Sequence, residues 1–278
     1  MANITAAQVN ELRKITGAGM MDCKKALVES NGDIEAAIDI LRKKGQKVAV
    51  NRADRDANQG IIIARTTADK GFASVIMLNC ETDFVAKNQD FIDYANKISD
   101  ATIEHKPKSL DELIQIKIDG FTVEEGVTHL IGKTGEKMQL AHYEHIVAPY
   151  TAAYNHFDNR LSAIVGFNKK DVNDIEQIGI DISMQVAAMN PLAVDKDSIP
   201  QSVIDREIEV GKEQARAEGK PEEMLERIAM GKLNKFYKEN TLLEQEFINE
   251  AKVSVKDYLQ KIDKTLTVTD LKRFQLGS

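Results

Sequence analysis

Apolar positions recur with a helical period at the start of the chain. Val9, Leu12 and Ile15 share one face. Cys23, Ala26, Leu27 and Ser30 recur at i, i+3, i+4 and i+7, and Ile34, Ala37, Ile38 and Leu41 repeat the stripe. Thr5 with Gln8 three residues on is a capping-box pair that opens the first helix. Thr16-Gly17-Ala18-Gly19 breaks it, and Asn31-Gly32-Asp33 turns the chain into the third. Three short helices are therefore predicted within residues 5–43. Residues 44–59 carry no such period. They begin basic, at Lys43-Lys44-Gly45-Gln46-Lys47, and continue polar, which reads as a partly helical linker.

From Gly60 the pattern changes to strands. Gly60 to Arg65 and Phe72 to Leu78 are apolar runs joined through Asp69-Lys70-Gly71, the signature of a hairpin. A helix is predicted from Asp83 through Ile98, with Phe84, Phe91, Tyr94, Ala95 and Ile98 inward. Residues 108–134 have a weak helical pattern, Gln139 to Thr151 is β-like, and Arg160 to Asn168 is another apolar strand. Ile175, Ile178, Ile182 and Val186 mark a helix over residues 172–189. Strand, strand and helix thus occur twice, near 60–98 and near 143–188. The predicted class is α+β, a pseudo-repeated core of two antiparallel sheets with helices on one face of each. Residues 201–239 form two charged helices split by Gly219 and Pro221, a projecting antiparallel hairpin. Leu266 to Phe274 can add a strand to the second sheet. The expected division is 1–55 for the helical bundle and linker, 56–142 for one core half, and 143–278 for the other with hairpin 201–239 inserted.

Composition narrows the function. The chain of 278 residues is 42% apolar and 29% charged, ordinary for a soluble globular protein, and has no Trp. Net charge is −7, unevenly spread: residues 1–55 hold ten Lys/Arg against seven Asp/Glu, a surplus of +3 that leaves −10 for the rest. An acidic body argues against general nucleic-acid binding, which needs clustered cations, and favours a protein partner. The short basic run at 43–47 has no interleaved aromatics and reads as a solvated tether. Two cysteines, Cys23 and Cys80, make no disulfide framework and fit reduced structural thiols in a cytosol. Met1 to Thr5 lacks a basic end followed by an apolar stretch, so no secretion signal is expected. No run approaches the length that spans a membrane.

No catalytic constellation emerges. Gly132-Lys133-Thr134 would need Gly at position 127 to make a phosphate loop, and 127 is Val. His142 and His145 are three apart in β-like sequence, so they should face opposite sides and cannot grip one metal. Neither cysteine has a base nearby in sequence, and the paired carboxylates Glu124-Glu125 and Glu222-Glu223 lie on solvated helices. The expectation is a protein that acts by binding, with no cofactor and no metal.

Two stretches stand out as binding candidates. Asn79 to Asn88, N-C-E-T-D-F-V-A-K-N, places Asp83 and Phe84 at a strand end where a helix should begin. Read plainly, Asp83 is a cap and Phe84 a core residue; read functionally, Phe84 is a wedge for a partner. Leu12 to Leu27, L-R-K-I-T-G-A-G-M-M-D-C-K-K-A-L, places Met20-Met21 in a turn beside Arg13 and Lys24. Met is a flexible apolar contact residue, and one Met inward with one outward is expected. These two stretches, about sixty residues apart, resemble the paired signatures of the elongation factor Ts family. Looser matches follow at Met184 to Pro191 and Gly231 to Phe236, so the resemblance covers nearly the whole chain.

The resemblance implies a cytoplasmic guanine nucleotide exchange factor of protein biosynthesis that is not an enzyme. It would bind elongation factor Tu·GDP and speed GDP release. The three short helices, with a Gly-Met turn between the first two, resemble a ubiquitin-associated (UBA-like) bundle, and the family resemblance implies that this bundle touches the nucleotide-binding domain through Met20 and Met21, with Arg13 and Lys24 beside them. Thr82, Asp83, Phe84 and Val85 would press on a helix of that domain, and His156 lines up with a contact histidine. A homodimer or a 2:2 complex through the helical hairpin is a further expectation. Some members continue into another C-terminal helical module; this chain ends at Ser278, and contacts of that module are not carried over. Two competing readings are a ubiquitin-like-binding or nascent-chain module, suggested by the bundle alone, and an enzyme whose site the sequence does not reveal. Asp83-Phe84 has no place in the first, and a bound cofactor or turnover would mark the second.

Overall fold

A computed structural model describes residues 4–277. Met1-Ala2-Asn3, read above as free of a secretion signal, and Ser278 lie outside the described residues. The first three helices are α1 (Ala6–Thr16), α2 (Met20–Glu29) and α3 (Ile34–Asn51). The capping box of Thr5 and Gln8 forms, Gly17 ends α1 in the left-handed conformation, and the Asp33 side chain accepts from Ala36 N–H to open α3. Val9, Leu12, Cys23, Ala26, Leu27, Ala37 and Leu41 make the small bundle core. Ile15, expected on that face, is exposed, and Thr16 is buried in its place.

The expected linker starts late. α3 runs on to Asn51 because its inward face continues through Gly45, Val48 and Ala49. Gly45 lies against a later helix, and a Cβ there would meet the Thr128 carbonyl oxygen at 2.6 Å. The period read as lost at residue 44 is kept by a glycine, which carries no apolar signal. Residues 52–55 are turn and bend, and 56–58 lead without regular structure into the first strand.

The core begins with β1 (Gln59–Thr66) and β2 (Phe72–Cys80), followed by α4 (Asp83–Ala86), α5 (Gln89–His105) and α6 (Leu110–Gln115). A small hairpin of β3 (Lys117–Ile118) and β4 (Phe121–Thr122) leads into α7 (Val123–Thr134) and β5 (Met138–Val147). The second half has β6 (Tyr150–Asn155), β7 (Leu161–Phe167), α8 (Ile175–Met189), the hairpin α9 (Gln201–Ala217) and α10 (Glu222–Asn240), α11 (Val255–Ile262) and β8 (Val268–Gln275). Two three-stranded antiparallel sheets result, ordered β1-β2-β5 and β6-β7-β8. The fold is α+β, with the strand–strand–helix unit occurring twice.

Strand alternation explains the layering. Ile61, Ile63, Ile76 and Leu78 face α5 and α7, whereas Ile62, Ala64, Val75 and Met77 face Ile164 and Leu276 of the other half. The second sheet turns Ala163, Val165 and Phe167 toward α8 and α11. The two sheets are therefore stacked face to face with helices outside, and all nine residues of β2 are buried. Met77 pairs with His142 and Leu78 with Leu140, so Ala141 is an extra residue. That bulge shifts the alternation and keeps Leu140 and Tyr143 on the same helix-facing side. The expected boundary after residue 142 falls inside β5, which pairs with β2 through Val147.

Two glycines predict opposite responses to one substitution. Gly45→Ala should destabilise the protein by roughly 1 kcal/mol or more, since α3 must move off the Thr128 backbone. Gly231→Ala, on an α10 face with nothing within 4 Å, should stabilise by about 0.5–1 kcal/mol through helix propensity. Denaturant midpoints of both variants against the parent measure the two signs.

Candidate functional site

Chain leaving β2 passes at once through a dense set of bonds. The Cys80 thiol donates to the Thr82 carbonyl at 3.2 Å. Burial pushes that thiol up to about 12, so it stays protonated and is no nucleophile. The Glu81 carboxylate accepts from Arg52 at 2.9 and 3.1 Å and from Lys137 N–H at 2.6 Å. Glu136 accepts from Thr82 N–H at 3.1 Å and from the Thr82 hydroxyl at 2.8 Å. Thr82 also caps α4, accepting from Val85 N–H at 3.4 Å. Thr82 is thus half-buried and fully engaged within the protein.

The helix expected over 83–98 is two helices. Asn88 takes an extended conformation and its side chain accepts from Asp90 N–H, so α5 starts anew at Gln89 and α4 stays a single short turn. Within that turn the side chains part. Val85, expected to touch a partner, is 9% exposed and sits in the core with Phe91 and Leu78, because a one-turn helix must bury one residue to stay attached. Phe84 points the other way and is 83% exposed, which rules out its plain reading as core. Asp83 pairs with Lys87 at 2.8 Å, and that hydrogen bond holds its carboxyl below the usual range, so it is ionised at neutral pH.

Phe84 stands over a surface cleft of about 840 Å³. Asp83, Phe84 and Lys87 form one wall, Gln59, Gly60 and Ile61 the base, and Asp158, Asn159 and Arg160 the far wall. The far wall is the β6–β7 turn, bonded to the free edge of β1. Asn155 exchanges bonds with Ala64 N–H and carbonyl, Asn159 accepts from Ile62 N–H at 2.8 Å, and Arg160 donates to Gln59 at 2.8 Å. His156 is exposed in this turn, its Nδ1 3.0 Å from the Tyr154 hydroxyl. The structure therefore brings the Asp83-Phe84 turn and the turn carrying His156 to one cleft. Phe157, which sequence reasoning missed, is 92% exposed beside His156. Its signal was an aromatic amid the polar turn residues Asn155 to Arg160.

Met20 and Met21 open α2, and the cleft lining contains no residue of α1 or α2. Both methionines are outward, 55% and 64% exposed, so the expected inward one is absent. Leu12, Cys23 and Leu27 already fill the bundle core, with Ala18 packed on its end. Arg13 and Lys24 are exposed on the same two helices. Among the described residues no cluster of three His, Cys, Asp or Glu could hold a metal. His142 meets Phe274, whereas His145 stacks on Phe72.

A family profile described as Elongation factor TS matches residues 81–278. The protein named Elongation factor Ts from Christiangramia forsetii is 47% identical over 277 residues, covering 100% of both chains. Those so named from Amoebophilus asiaticus and Porphyromonas gingivalis are 47% and 46% identical, covering 99% of both chains in each case.

The division of α4 into an inward and an outward side chain predicts a stability contrast. Val85→Ala should cost about 1–3 kcal/mol as a buried truncation, and Phe84→Ala should stay within about 0.5 kcal/mol of the parent. Thermal or denaturant unfolding of the two variants checks the contrast.

Proposed function

The chain belongs to the elongation factor Ts family of translation elongation factors, and from that premise we propose that it is the guanine nucleotide exchange factor for elongation factor Tu. It binds elongation factor Tu·GDP and promotes GDP release so that GTP can enter. The observation that carries this reading is Phe84, a large aromatic held in water on a turn braced by Glu81 and Glu136. A core residue would not be presented so, and a loose surface residue would not be braced so. Phe84 is the wedge, ionised Asp83 beside it is a hydrogen-bond acceptor for the partner, and His156 is a further contact in the turn whose Asp158 to Arg160 form the opposite wall of the cleft. Met20 and Met21, with Arg13 and Lys24 beside them, form a second apolar contact on the bundle. Thr82 and Val85 belong to the support rather than the contact.

The mechanism is linkage. A protein that binds nucleotide-free elongation factor Tu more tightly than the GDP form must weaken GDP binding by the same factor. No bond is made or broken, so no catalytic acid, base or cofactor is required, and the chain is not an enzyme in this reading. The setting is the cytoplasm, and no helix among the described residues is long and apolar enough to cross a membrane.

Release of a fluorescent GDP analogue from elongation factor Tu tests the reading. A catalytic amount of this protein should accelerate release strongly; no acceleration with a cognate partner sinks the proposal. Phe84→Ala should lower the exchange rate by roughly tenfold or more with the fold intact. Met20→Ala with Met21→Ala should chiefly weaken binding, raising KM by about tenfold; an unchanged KM would remove the bundle from the interface.

A further inference from the structure

A second cleft, of about 760 Å³, opens along β5, the edge strand of the first sheet, and faces the end of β8. Its size is that of a small-molecule site, and it shares no lining residue with the cleft beside Phe84. The chain carries a net charge of −7, and the Phe84 cleft sets Glu81, Asp83 and Asp158 against Lys87 and Arg160. Here the balance reverses, with Arg55, Lys137 and Arg273 against Asp56. Among the described residues none of these three cations has a carboxylate partner. The Lys137 ammonium donates to the Ala53 and Arg55 carbonyls at 2.7 and 2.9 Å, which leaves one N–H group over. Arg273 donates to the Ala187 carbonyl at 3.0 Å and to Gln275 Oε1 at 2.6 Å, both neutral acceptors. It is half-buried, and burial alone lowers its pKa. A cation partly withdrawn from water among neutral partners is a receptor for an anion.

The floor carries a second, independent sign. Asn79, at the end of β2, is 8% exposed. Its Nδ2 donates to the Ala57 carbonyl at 2.9 Å and holds the segment after Arg55 against the sheet. Its Oδ1 is buried and accepts from no donor of the described residues. Buried acceptors are nearly always paired, so this oxygen suits an N–H or O–H of a bound molecule. His142 and Phe274 line another side with ring centroids 5.3 Å apart, an aromatic wall against which a flat ring can lie.

We propose that this cleft binds a small phosphate ester, its phosphate held by Arg55, Lys137 and Arg273 and a donor of its organic part met by Asn79. The site stands apart from the exchange reading and does not depend on it. The three cations come from three segments, the linker after α3, the residue before β5, and β8. Such convergence suits a doubly charged group with oxygens on several sides better than a planar carboxylate. Arg forks two phosphate oxygens and Lys meets another as a point charge. Inorganic phosphate would leave the aromatic wall unused and offer Asn79 little to accept, whereas an ester brings ring, hydroxyl or amine.

Calorimetric titration of the full chain with ADP and with inorganic pyrophosphate tests the site. ADP offers N–H and O–H donors and a ring beside its phosphates, and pyrophosphate offers the phosphates alone. One equivalent of ADP should bind saturably, about fivefold or more tighter than pyrophosphate. Arg55→Gln should weaken ADP binding by roughly tenfold or more. Its melting temperature without ligand should not move, because Arg55 is exposed and its guanidinium bonds nothing among the described residues. Lys220→Gln, exposed between α9 and α10, should leave the affinity unchanged. No saturable binding of either ligand overturns the site. So does an affinity that Arg55→Gln leaves unchanged, or one that both substitutions lower equally, which would mark attraction to charge at large. Pyrophosphate binding as tightly as ADP overturns the ester and the part given to Asn79.

Discussion

Two glutamates hold the candidate site by trading places. Glu81 accepts the backbone N–H of Lys137, and Glu136 accepts the backbone N–H of Thr82. Each carboxylate thus bonds the residue that follows the other, across the gap where β2 ends and β5 begins, with Cys80 opposite Met138. Bonds from an ionised acceptor to backbone donors are about twice as strong as neutral ones. The pair closes a ladder that would otherwise fray at its last rung. It also ends the strand sharply enough that four residues later the chain has buried Val85 and pushed Phe84 into water. The exposed ring depends on that ending more than on anything within α4, whose single turn could not hold an orientation alone.

The same junction ties the bundle to the core. Arg52, just past the end of α3, reaches Glu81 with two bonds, and the Lys137 ammonium donates to the carbonyls of Ala53 and Arg55. With Gly45 seated on α7, α3 is fixed at its middle and its end. The Met20-Met21 turn and the Phe84 turn are thereby mounted on one frame, although they line no common cleft. A partner touching both meets a surface whose two parts are set before contact, which removes an ordering cost from binding.

Much of this was legible in the chain, and the failures have identifiable causes. Helical stripes were readable because one side of each helix is wet, and β1, β2 and β7 because strands buried on both faces read as continuous apolar runs. The end of α3 was not, because its close approach to α7 is written in Gly45, a residue that signals a break elsewhere. The bulge at Ala141 was invisible because both registers offer apolar residues. Phe84 and Val85 are adjacent apolar residues in one short motif, and no periodicity could say which is inside. That choice is set by Thr82 and Glu136, which lie 54 positions apart. Ile15 and Thr16 exchanged places in the bundle for a related reason: the Thr16 hydroxyl satisfies itself on the Leu12 carbonyl at 2.7 Å and so can be buried. Phe157 was passed over because turns are read for their polar residues.

A wedge that acts by linkage must be stiffer than what it displaces. The coupling available to an exchange factor is the difference in its affinity for two states of its partner, and any yielding on its own side subtracts from that difference. Phe84, in its proposed role of wedge, is placed accordingly. Its backbone follows a strand buried on both faces, Val85 roots the next residue, and Asn88 stops the turn from merging into α5, where a longer helix would share its orientation with a longer lever. The ion pair of Asp83 with Lys87 is solvent-exposed and weak by comparison, so the acid can exchange Lys87 for a donor on the partner while the ring beside it stays fixed. Rigidity in the support and lability at the proposed contact are both present within five residues, 83–87, as the proposed exchange activity would require.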